Sequence, residues 1–354
     1  VPQRHGWEAR HWSRIQGAEH LATRDRVALF NLSAFTKIEV SGPGAAGFLQ
    51  WLAANDVDQP VGKIVYTSLC TSRGGIMADL TITRLAADRF WILTGGSTGP
   101  HDLAWIRRHT PGGGAVHIQD MSGQFVALGL WGPRSRDVLA QVAEEDVSTH
   151  HFRYYWARPL RIDVVPAMAL RLSYAGELGW EIYAPVEYGQ RLWDVLWEAG
   201  QPYGMIAAGA GAFDSLRLEK GYRLWGADIH TEYNPYEAGL GWAVKLDKGD
   251  FMGCDALLRV KEQGIARRLC CLTFDDPAAM ALGKEPILAD GRVLGFVTSA
   301  NYGYSLGKLI AYGYLPTEYA KEGTVVEVQC FGRRFAATVA ADPLFDPKMA
   351  RLRA

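Results

Sequence analysis

Glu181 stands where a carboxylate is costly unless something binds it. It lies in the stretch RLSYAGELGWEIYAP (171–185), between the large apolar side chains of Trp180 and Ile182. An ionised group among apolar neighbours costs free energy unless a partner satisfies it. The residues alone leave two interpretations open: a ligand-binding carboxylate, or an exposed strand glutamate paired with a helix cation. Glu177, which two glycines bracket, is interpreted as a turn carboxylate.

A second carboxylate lies in the alternating stretch ADLTITRL (78–85). The alternation predicts a strand with one buried face, and Asp79 stands beside Leu80 near its beginning. A chemical role is one interpretation of Asp79. The alternative is a strand-entry aspartate that caps the turn at Gly74-Gly75.

The bulk properties exclude several classes of function. The chain has 354 residues, of which 48% are hydrophobic and 21% charged, as in a soluble protein of two or three domains. With a net charge of −1, the chain does not have the excess of basic residues that is typical of proteins that bind nucleic acid or an acidic membrane surface. No apolar run approaches the ~20 residues that span a bilayer. The N-terminus VPQRHGWEARHW lacks a signal-peptide core and an initiator Met, so we expect a cytoplasmic protein that is processed or is one module of a longer chain.

Metal and dinucleotide sites are not predicted. The five cysteines show no CxxC spacing and the nine histidines no ligand pattern, so we interpret the cysteines as reduced thiols and expect no metal. No GxGxxG follows a predicted strand and no P-loop occurs. We therefore expect no FAD in this chain.

The patterns that surround the two carboxylates predict an α+β fold. Up to about residue 264, strand-like stretches alternate with amphipathic helical ones, for example 43–56 and 189–203. From residue 265 to 354 the chain turns into short strands separated by Gly and Pro. This segment predicts a separate small β-barrel or sandwich.

Five ordered stretches together resemble the glycine-cleavage T-protein (aminomethyltransferase) family. They are KIVYTSLCTSRGGIMADLTITRL (63–85), RLSYAGELGWEIYAP (171–185), SLRLEKGYRLWGADIHTEYNPYEAGLGWAVK (215–245), VTSANYGYSLGKLIAYGYL (297–315) and DPLFDPKMARLR (342–353). The pattern is particularly similar to the folate-binding C-terminal half of dimethylglycine oxidase and of dimethylglycine and sarcosine dehydrogenases. The resemblance implies a cloverleaf of two interleaved α+β subdomains over residues 1–264 and a C-terminal β-barrel over residues 265–354.

The resemblance also implies a tetrahydrofolate site. By motif position, Glu181 binds the amino-pyrimidine edge of the pterin, whose adjacent N–H donors match two carboxylate oxygens. Asp79 becomes the catalytic acid–base, and burial against the pterin and aromatic walls is expected to raise its pKa. The remaining positions implied to line the folate are Tyr66, Thr81, Leu93, Tyr174, Ile182 and Tyr183, the last two through their backbone.

The chain departs from the family pattern at two positions. Many T-proteins carry two consecutive aspartates where this chain has Ala78-Asp79. They also carry an arginine before the aspartate of the segment that reads AFDSLRLE here, and Phe213 stands in its place. That loss weighs against a lipoyl carrier protein as donor. Arg217, Glu219 and Arg223 are interpreted as a buried ion-pair network.

The implied function is transfer of a one-carbon unit from a methylated amine-type donor to tetrahydrofolate. In the main interpretation, a flavin-dependent amine oxidase domain or subunit supplies an iminium, and the product is 5,10-methylenetetrahydrofolate. One alternative is a stand-alone demethylase that moves a methyl group from oxygen, sulfur or nitrogen and gives 5-methyltetrahydrofolate. Another is a folate-binding regulatory module without turnover. No nucleic acid or membrane partner is expected.

Overall fold

The computed structural model of the chain describes residues 13–354. The lead-in predicted before the first helix therefore lies, over residues 1–12, outside the described residues. The helices are Arg14–Asp25 (α1), Ala45–Leu52 (α2), Gly99–Arg108 (α3), Ser135–Val142 (α4), Gly189–Gly200 (α5), Ala210–Glu219 (α6), Cys254–Gln263 (α7) and Ala350–Arg353 (α8).

The strands build three separate sheets. In chain order they are Ala28–Asn31 (β1), Thr36–Ser41 (β2), Ile64–Cys70 (β3), Ile76–Ala86 (β4), Arg89–Thr94 (β5), His117–Asp120 (β6), Phe125–Trp131 (β7), Ala157–Ile162 (β8), Val165–Leu170 (β9), Gly179–Pro185 (β10), Ile206–Ala208 (β11), Arg267–Phe274 (β12), Pro286–Ala289 (β13), Arg292–Gly303 (β14), Lys308–Pro316 (β15), Val325–Cys330 (β16) and Arg333–Ala340 (β17).

The first sheet has six strands in the order β11-β1-β7-β10-β9-β8. Its pairs are antiparallel except β1 with β11, where Ala28 pairs with Ile206 in parallel. Strand β10 pairs with both β7 and β9, and all its residues before Pro185 are buried. This central position explains why its sequence is nearly continuously apolar, since both faces are covered. Helices α4 and α5 carry apolar residues into the core on one of those faces.

The second sheet has five antiparallel strands in the order β3-β4-β5-β2-β6. One face packs on α2 and α3, where Leu49 and Ile106 contact the sheet residues Leu80 and Ile82 in a single buried cluster. The opposite face of β4 carries the partly exposed residues of its alternating burial pattern. Strict alternation places residues i and i+2 on the same face of a strand. The second sheet therefore presents an apolar side to its helices and a polar side to a cavity.

The two sheets are interleaved in the sequence. The chain enters the first sheet at β1, makes all of the second sheet from β2 to β6, and then returns to the first sheet at β7. Strands β12 to β17 form a closed six-stranded barrel. The predicted α+β fold with interleaved subdomains and a C-terminal barrel is confirmed. The exact division at residues 264 and 265 stays a prediction.

The stretch 171–185 is a strand only in its second half. Residues 171–178 form an irregular segment, and β10 begins at Gly179. Gly176 has φ +79°, and a side chain there would collide with the aliphatic part of Lys220. The interpretation of Glu177 as a simple turn carboxylate was wrong. Glu177 is fully buried and forms ion pairs with Arg24 at 3.0 Å and with Arg351 at 2.7 Å.

The predicted buried ion-pair network around α6 is present, with partners drawn from elsewhere in the chain. Arg217, Glu219 and Arg223 are all buried. Their pairs are Arg217 with Asp228 at 2.7 Å, Glu219 with Arg24 at 3.0 Å, and Arg223 with Asp342 at 2.6 Å. These pairs tie α6 to α1, and tie the segment after α6 to the segment that follows the barrel.

The described residues contain neither a membrane-spanning helix nor a cluster of metal-ligating side chains. Between residues 13 and 354, no helix has the length and apolar character needed to cross a membrane. Over the same range, no three His, Cys, Asp or Glu side chains are grouped so that they could hold a metal ion.

Candidate active site

A cavity of about 1640 Å³ is lined by both sheets and by the barrel. Tyr66 and Asp79 line it from the second sheet, Glu181 from the first, and Cys270 from the barrel. A cavity of this size is larger than most small-molecule sites need. It is the place where the two carboxylates singled out in the sequence face the same space.

Strand register builds the wall on the side of the second sheet. Tyr66 on β3 pairs with Thr81 on β4, which pairs with Leu93 on β5. These three residues form a row across the strands, and Asp79 lies two residues before Thr81 on the same face. All four line the cavity. The hydroxyl of Tyr66 donates a 3.0 Å hydrogen bond to Oδ2 of Asp79.

The surroundings of Asp79 shift its pKa toward neutral pH. Burial raises the pKa of Asp79 to about 6, and the carboxylates of Asp102 and Asp228 act in the same direction. The hydrogen bond from Tyr66 opposes this by lowering the pKa. A general acid–base works best when its pKa lies close to the operating pH. The pKa of Asp79 is therefore shifted in the predicted direction.

Asp102 is a carboxylate on the cavity wall that the sequence analysis did not single out. It lies in the first turn of α3, is 1% exposed, and accepts a 2.5 Å hydrogen bond from the hydroxyl of Thr94. His101 lies 3.0 Å from its other oxygen. The sequence offered only a weak signal, because an acidic residue in the first turn of a helix is common on its own account.

Glu181 lies in the middle of β10, opposite Gly129 on one side and Leu170 on the other. It is only 4% exposed, so the alternative of an exposed strand glutamate paired with a helix cation is wrong. The hydroxyl of Tyr183 donates a 2.6 Å hydrogen bond to Oε2. Burial raises the pKa of Glu181 to about 7, while the hydrogen bond from Tyr183 lowers it. Within residues 13–354, Oε1 has no hydrogen-bond partner.

Three more residues of this part of the chain were predicted to line the site, and only one of them has a place on the cavity wall. Tyr174 lines the cavity, and its hydroxyl donates a 2.5 Å hydrogen bond to the carbonyl of Arg223. Ile182 and Tyr183 are not among the described residues that line the cavity. The side chain of Ile182 belongs to the core of the first sheet, because successive residues of a strand face opposite sides. Tyr183 is fully buried and acts on the site through Glu181.

Aromatic rings cover a large part of the cavity wall. Phe213 is stacked between Tyr174, at 5.0 Å between ring centroids, and Trp131, at 5.6 Å. An aromatic stack therefore fills the position where the family pattern has a cation. The exposed ring of Trp242 is stacked on the ring of Tyr66, with 5.5 Å between their centroids.

Lysines also line the cavity near Trp242. Lys245 and Lys248 follow it in the chain. Lys248 donates hydrogen bonds to the carbonyls of Ala53 at 2.7 Å and Asn55 at 2.9 Å, and burial lowers its pKa to about 8. This part of the wall therefore differs in charge from the carboxylate-lined part around Asp79 and Glu181.

Sequence comparison assigns the family. Residues 1–248 match the model of the GCVT N-terminal domain, and residues 267–346 match the model of the glycine cleavage T-protein C-terminal barrel domain. The chain belongs to the glycine cleavage T-protein family. The predicted resemblance is confirmed, and with it the prediction of a transferase-type enzyme. Aminomethyltransferases of this family are folate-dependent one-carbon transferases.

The chain is similar in sequence to relatives of two kinds, which are dehydrogenases or oxidases on the one hand and aminomethyltransferases on the other. The chain is 36% identical over 345 residues to the mitochondrial dimethylglycine dehydrogenase of Rattus norvegicus, covering 96% of this chain and 40% of that protein. It is 38% identical to the 4-methylaminobutanoate oxidase (formaldehyde-forming) of Paenarthrobacter nicotinovorans, covering 97% of this chain and 41% of the oxidase. The aminomethyltransferase of Symbiobacterium thermophilum is 36% identical, and there the match covers 96% of this chain and 92% of the relative. The chain thus spans about two-fifths of the dehydrogenase and oxidase relatives.

A solved T-protein has the same fold. The crystal structure of the glycine cleavage system aminomethyltransferase T from Bartonella henselae superposes with a TM-score of 0.85 at 30% identity, covering 94% of this chain and 90% of that one. Since the barrel and both interleaved sheets are included in this coverage, the architecture described above is that of the T-protein family.

Proposed function

We propose that the chain transfers a one-carbon unit from a methylated donor to tetrahydrofolate, and that Asp79 and Glu181 divide the work. One observation carries this proposal. The two carboxylates face one cavity from two different sheets, and burial raises the pKa of each toward neutrality. Each accepts a side-chain hydrogen bond from one tyrosine, Asp79 from Tyr66 and Glu181 from Tyr183.

The residues present fit a reduced pterin at Glu181. A pterin offers adjacent N–H donors along its amino-pyrimidine edge, and Oε1 of Glu181 is an unpaired acceptor on the cavity wall. A hydrogen bond to a charged acceptor contributes ~1.5–3 kcal/mol. The side chains of Tyr66, Leu93 and Tyr174 supply ring and aliphatic surfaces on the same wall. The donor edge of the pterin and the acceptor on the wall are therefore matched in polarity.

Proton transfer is assigned to Asp79. When bound, the reduced folate supplies the nucleophilic nitrogens that accept the carbon. Asp79, with a pKa of about 6, is mainly ionised at pH 7.5, so its oxygen not bonded to Tyr66 can take up a proton and release it to a departing amine. The aromatic wall of Phe213 and Tyr174 limits the access of water, which would otherwise compete for an iminium carbon.

The donor proposed first is an iminium or a methylated amine. The dehydrogenase and oxidase relatives are named for oxidation of methylated amino acids, and both are much longer than this chain. A flavin-dependent amine oxidase, as a further domain or a separate subunit, would oxidise the amine and deliver the iminium to the cavity. The product with such a donor is 5,10-methylenetetrahydrofolate.

A second candidate is a stand-alone transferase that needs no redox step. The Symbiobacterium thermophilum aminomethyltransferase, which this chain matches over 92% of its length, favours it because a protein of this size can be a complete family member. A methyl donor would then give 5-methyltetrahydrofolate. A regulatory module without turnover fits less well, because such a module has no use for the carboxylate of Asp79 with its pKa near neutrality.

Mass spectrometry of the folate product tests the proposal. The purified chain is incubated with tetrahydrofolate and a panel of methylated amines, ethers and sulfonium compounds, with and without an added flavin amine oxidase. A methylene adduct that requires the oxidase supports iminium capture, and a methyl adduct without it supports the second candidate. Binding of folate without any product supports the regulatory module. Absence of folate binding contradicts all three.

A further inference from the structure

We propose that Asp102 and His101 form a proton exit from the cavity, in which Asp102 accepts a proton from the reaction and His101 passes it to solvent. The inference rests on the proposed function, in which Asp79 takes up a proton first. It assigns a role to a carboxylate on the cavity wall and to a half-exposed imidazole, neither of which the transfer mechanism above uses.

The proposed reaction releases one proton more than a neutral departing amine retains. The two reacting nitrogens of tetrahydrofolate each lose one hydrogen when a methylene group bridges them. When the bond between carbon and the donor nitrogen breaks, that nitrogen keeps the electron pair and takes one of the two protons. The other proton has to pass to a base and then out of the cavity, because Asp79 must be ionised again before the next turnover. Methyl transfer from an ammonium or sulfonium donor likewise leaves one proton behind.

Asp102 is placed to receive this proton from Asp79. Both carboxylates line the cavity, and the charge of Asp102 raises the pKa of Asp79, so the two groups are close enough to interact. Oδ2 of Asp102 accepts a 2.5 Å hydrogen bond from the hydroxyl of Thr94, the last residue of β5. This bond fixes the side chain of Asp102 against the second sheet, which also carries Asp79.

The strand register brings the hydrogen bond of Thr94 to the Asp79 end of the sheet. Thr81 on β4 pairs with Leu93 on β5. The same antiparallel register, continued by two residues, places Gly95 across from Asp79. Thr94 is the chain neighbour of Gly95, so the group that holds the second carboxylate lies beside the first.

His101 connects Asp102 to solvent. Nδ1 of His101 lies 3.0 Å from Oδ1 of Asp102, and the histidine side chain is 47% exposed while that of Asp102 is 2% exposed. The imidazole packs against the ring of Trp225 at 5.3 Å between centroids, and the Trp225 indole donates a 3.3 Å hydrogen bond to the carbonyl of Ile76. Imidazole accepts a proton on one nitrogen and releases one from the other near neutral pH. The pair therefore joins a buried acceptor on the cavity wall to bulk water.

Asp102 differs in this respect from Asp228, the other carboxylate that raises the pKa of Asp79. Asp228 forms a buried ion pair with Arg217 at 2.7 Å. An arginine partner favours the ionised form of a carboxylate and so opposes its protonation. Within residues 13–354, the side chain of Asp102 forms an ion pair with His101 and with no lysine or arginine. Its partner is thus a group that can itself carry the proton onward.

Rescue by an added base tests the relay. The chain, saturated with tetrahydrofolate in weakly buffered solution, receives an iminium that an excess of flavin amine oxidase forms from dimethylglycine. The rate of methylenetetrahydrofolate formation is measured, and the rate without the chain is subtracted. In His101→Ala we expect a rate that is lower by at least about tenfold and that added imidazole restores, whereas imidazole leaves the native rate unchanged. Folate affinity, measured by calorimetry, should stay within a few-fold of native. An unchanged rate, or a lowered rate that imidazole does not restore, would overturn the proposal.

Two further variants separate proton transfer from positioning. His101→Gln keeps a side-chain donor toward Asp102 but cannot pass a proton, so it should be as slow as His101→Ala and be restored by imidazole in the same way. A near-native rate in His101→Gln would mean that the histidine only positions Asp102, and would refute the relay. His109→Ala is the matched control, because it removes a histidine at the end of the same helix that bonds to the carbonyl of Trp105 at 2.8 Å.

The control and the native chain decide the remaining outcomes. His109→Ala should keep the native rate, and an equal loss there would assign the effect to the helix as a whole and refute the relay. A native chain that forms no folate product from dimethylglycine or from any other donor of the panel above refutes the proposed function itself. A native chain that turns over while His101→Gln does so equally well refutes the proton exit alone.

Discussion

The hydroxyl of Tyr66 and the carboxylate of Asp79 are joined by a 3.0 Å hydrogen bond between neighbouring strands of the second sheet. Burial and the carboxylates of Asp102 and Asp228 raise the pKa of Asp79, whereas this bond lowers it. The net result is a pKa of about 6. The site thus contains opposing effects that can be changed one at a time.

Removing the Tyr66 hydroxyl should move the pH profile upward. In Tyr66→Phe the pKa of Asp79 rises, and because the ionised carboxylate accepts the proton, the rate is lost at a higher pH on the acid side. We expect a roughly two- to tenfold lower rate near pH 6.5 and a near-native rate at pH 8.5. Asp102→Asn removes a carboxylate that raises the pKa, so its acid limb should move the other way. Shifts in the same direction for both variants would contradict this account.

Asp79→Asn separates chemistry from binding. Asparagine keeps size and polarity but cannot carry a proton at neutral pH, and general acid–base groups contribute about 10²–10⁴-fold to a rate. Single-turnover transfer should fall at least ~100-fold, while folate affinity measured by calorimetry stays within roughly tenfold. Near-native turnover with saturating folate would remove Asp79 from the chemistry.

Glu181→Gln should weaken folate binding as its main defect. The loss of a charged acceptor for the pterin edge is expected to cost about 10- to 100-fold in affinity, and saturating folate should restore most of the rate. Ile182→Val is the matched control, because the next residue of the same strand faces the core. If Glu181→Gln binds folate as tightly as the native chain does, the pterin lies elsewhere.

The same substitution should stabilise the fold at alkaline pH. The pKa of Glu181 is about 7 in the folded chain and near 4.5 when unfolded, so the folded state binds the proton more tightly. The native chain therefore loses stability as the pH rises from about 4.5 through 7, by up to ~3 kcal/mol. Glu181→Gln lacks this loss. In denaturant unfolding, the Glu181→Gln variant should be more stable than the native chain at pH 8 and about as stable near pH 4.5. A native chain that is the more stable of the two at pH 8 would mean that Glu181 has a partner that stabilises its charge.

Arg24 should be among the residues least tolerant of substitution. It is 3% exposed and pairs with Glu177 and Glu219, each at 3.0 Å. Arg24→Met leaves two buried carboxylates without this partner, so we expect a loss of ~3–5 kcal/mol in the free energy of unfolding. Arg334→Met breaks an exposed pair with Glu327 and should change stability by less than ~1 kcal/mol. Similar effects from the two variants would contradict the assigned importance of burial.

The sequence predicted the fold where local pattern and family motifs coincided. The alternation around Asp79 identified strand β4, and the family motif directed attention to Glu181 within a nearly continuous apolar run. The sequence could not predict that Glu177 is buried, because its partners Arg24 and Arg351 are far away in the chain. Strands β8 and β9 were also missed, since Pro159 and Pro166 interrupt the usual strand signal.

Parts of the site could not be predicted either, because they are formed by residues that lie far apart in the chain. Asp102 and Tyr222 reach the cavity from a helix and a loop whose placement depends on tertiary packing. The resemblance implied that Ile182 lines the folate through its backbone; its side chain belongs to the core of the first sheet, and the backbone role stays a prediction. The sequence has adjacent tyrosines at residues 154 and 155, but nothing in it showed that the hydroxyl of Tyr154 lies beside that of Tyr222.

The interleaving of the two sheets also sets the order in which their strands emerge from the ribosome. All strands of the second sheet lie within residues 36–120, so that sheet can assemble while the chain is still being made. Strand β1 is synthesised earlier but must wait, unpaired, for Phe125–Trp131 and then for Ile206–Ala208 before both of its edges are covered. The Asp79 wall can thus form before the Glu181 wall, whose sheet is complete only after Ile206–Ala208 has emerged.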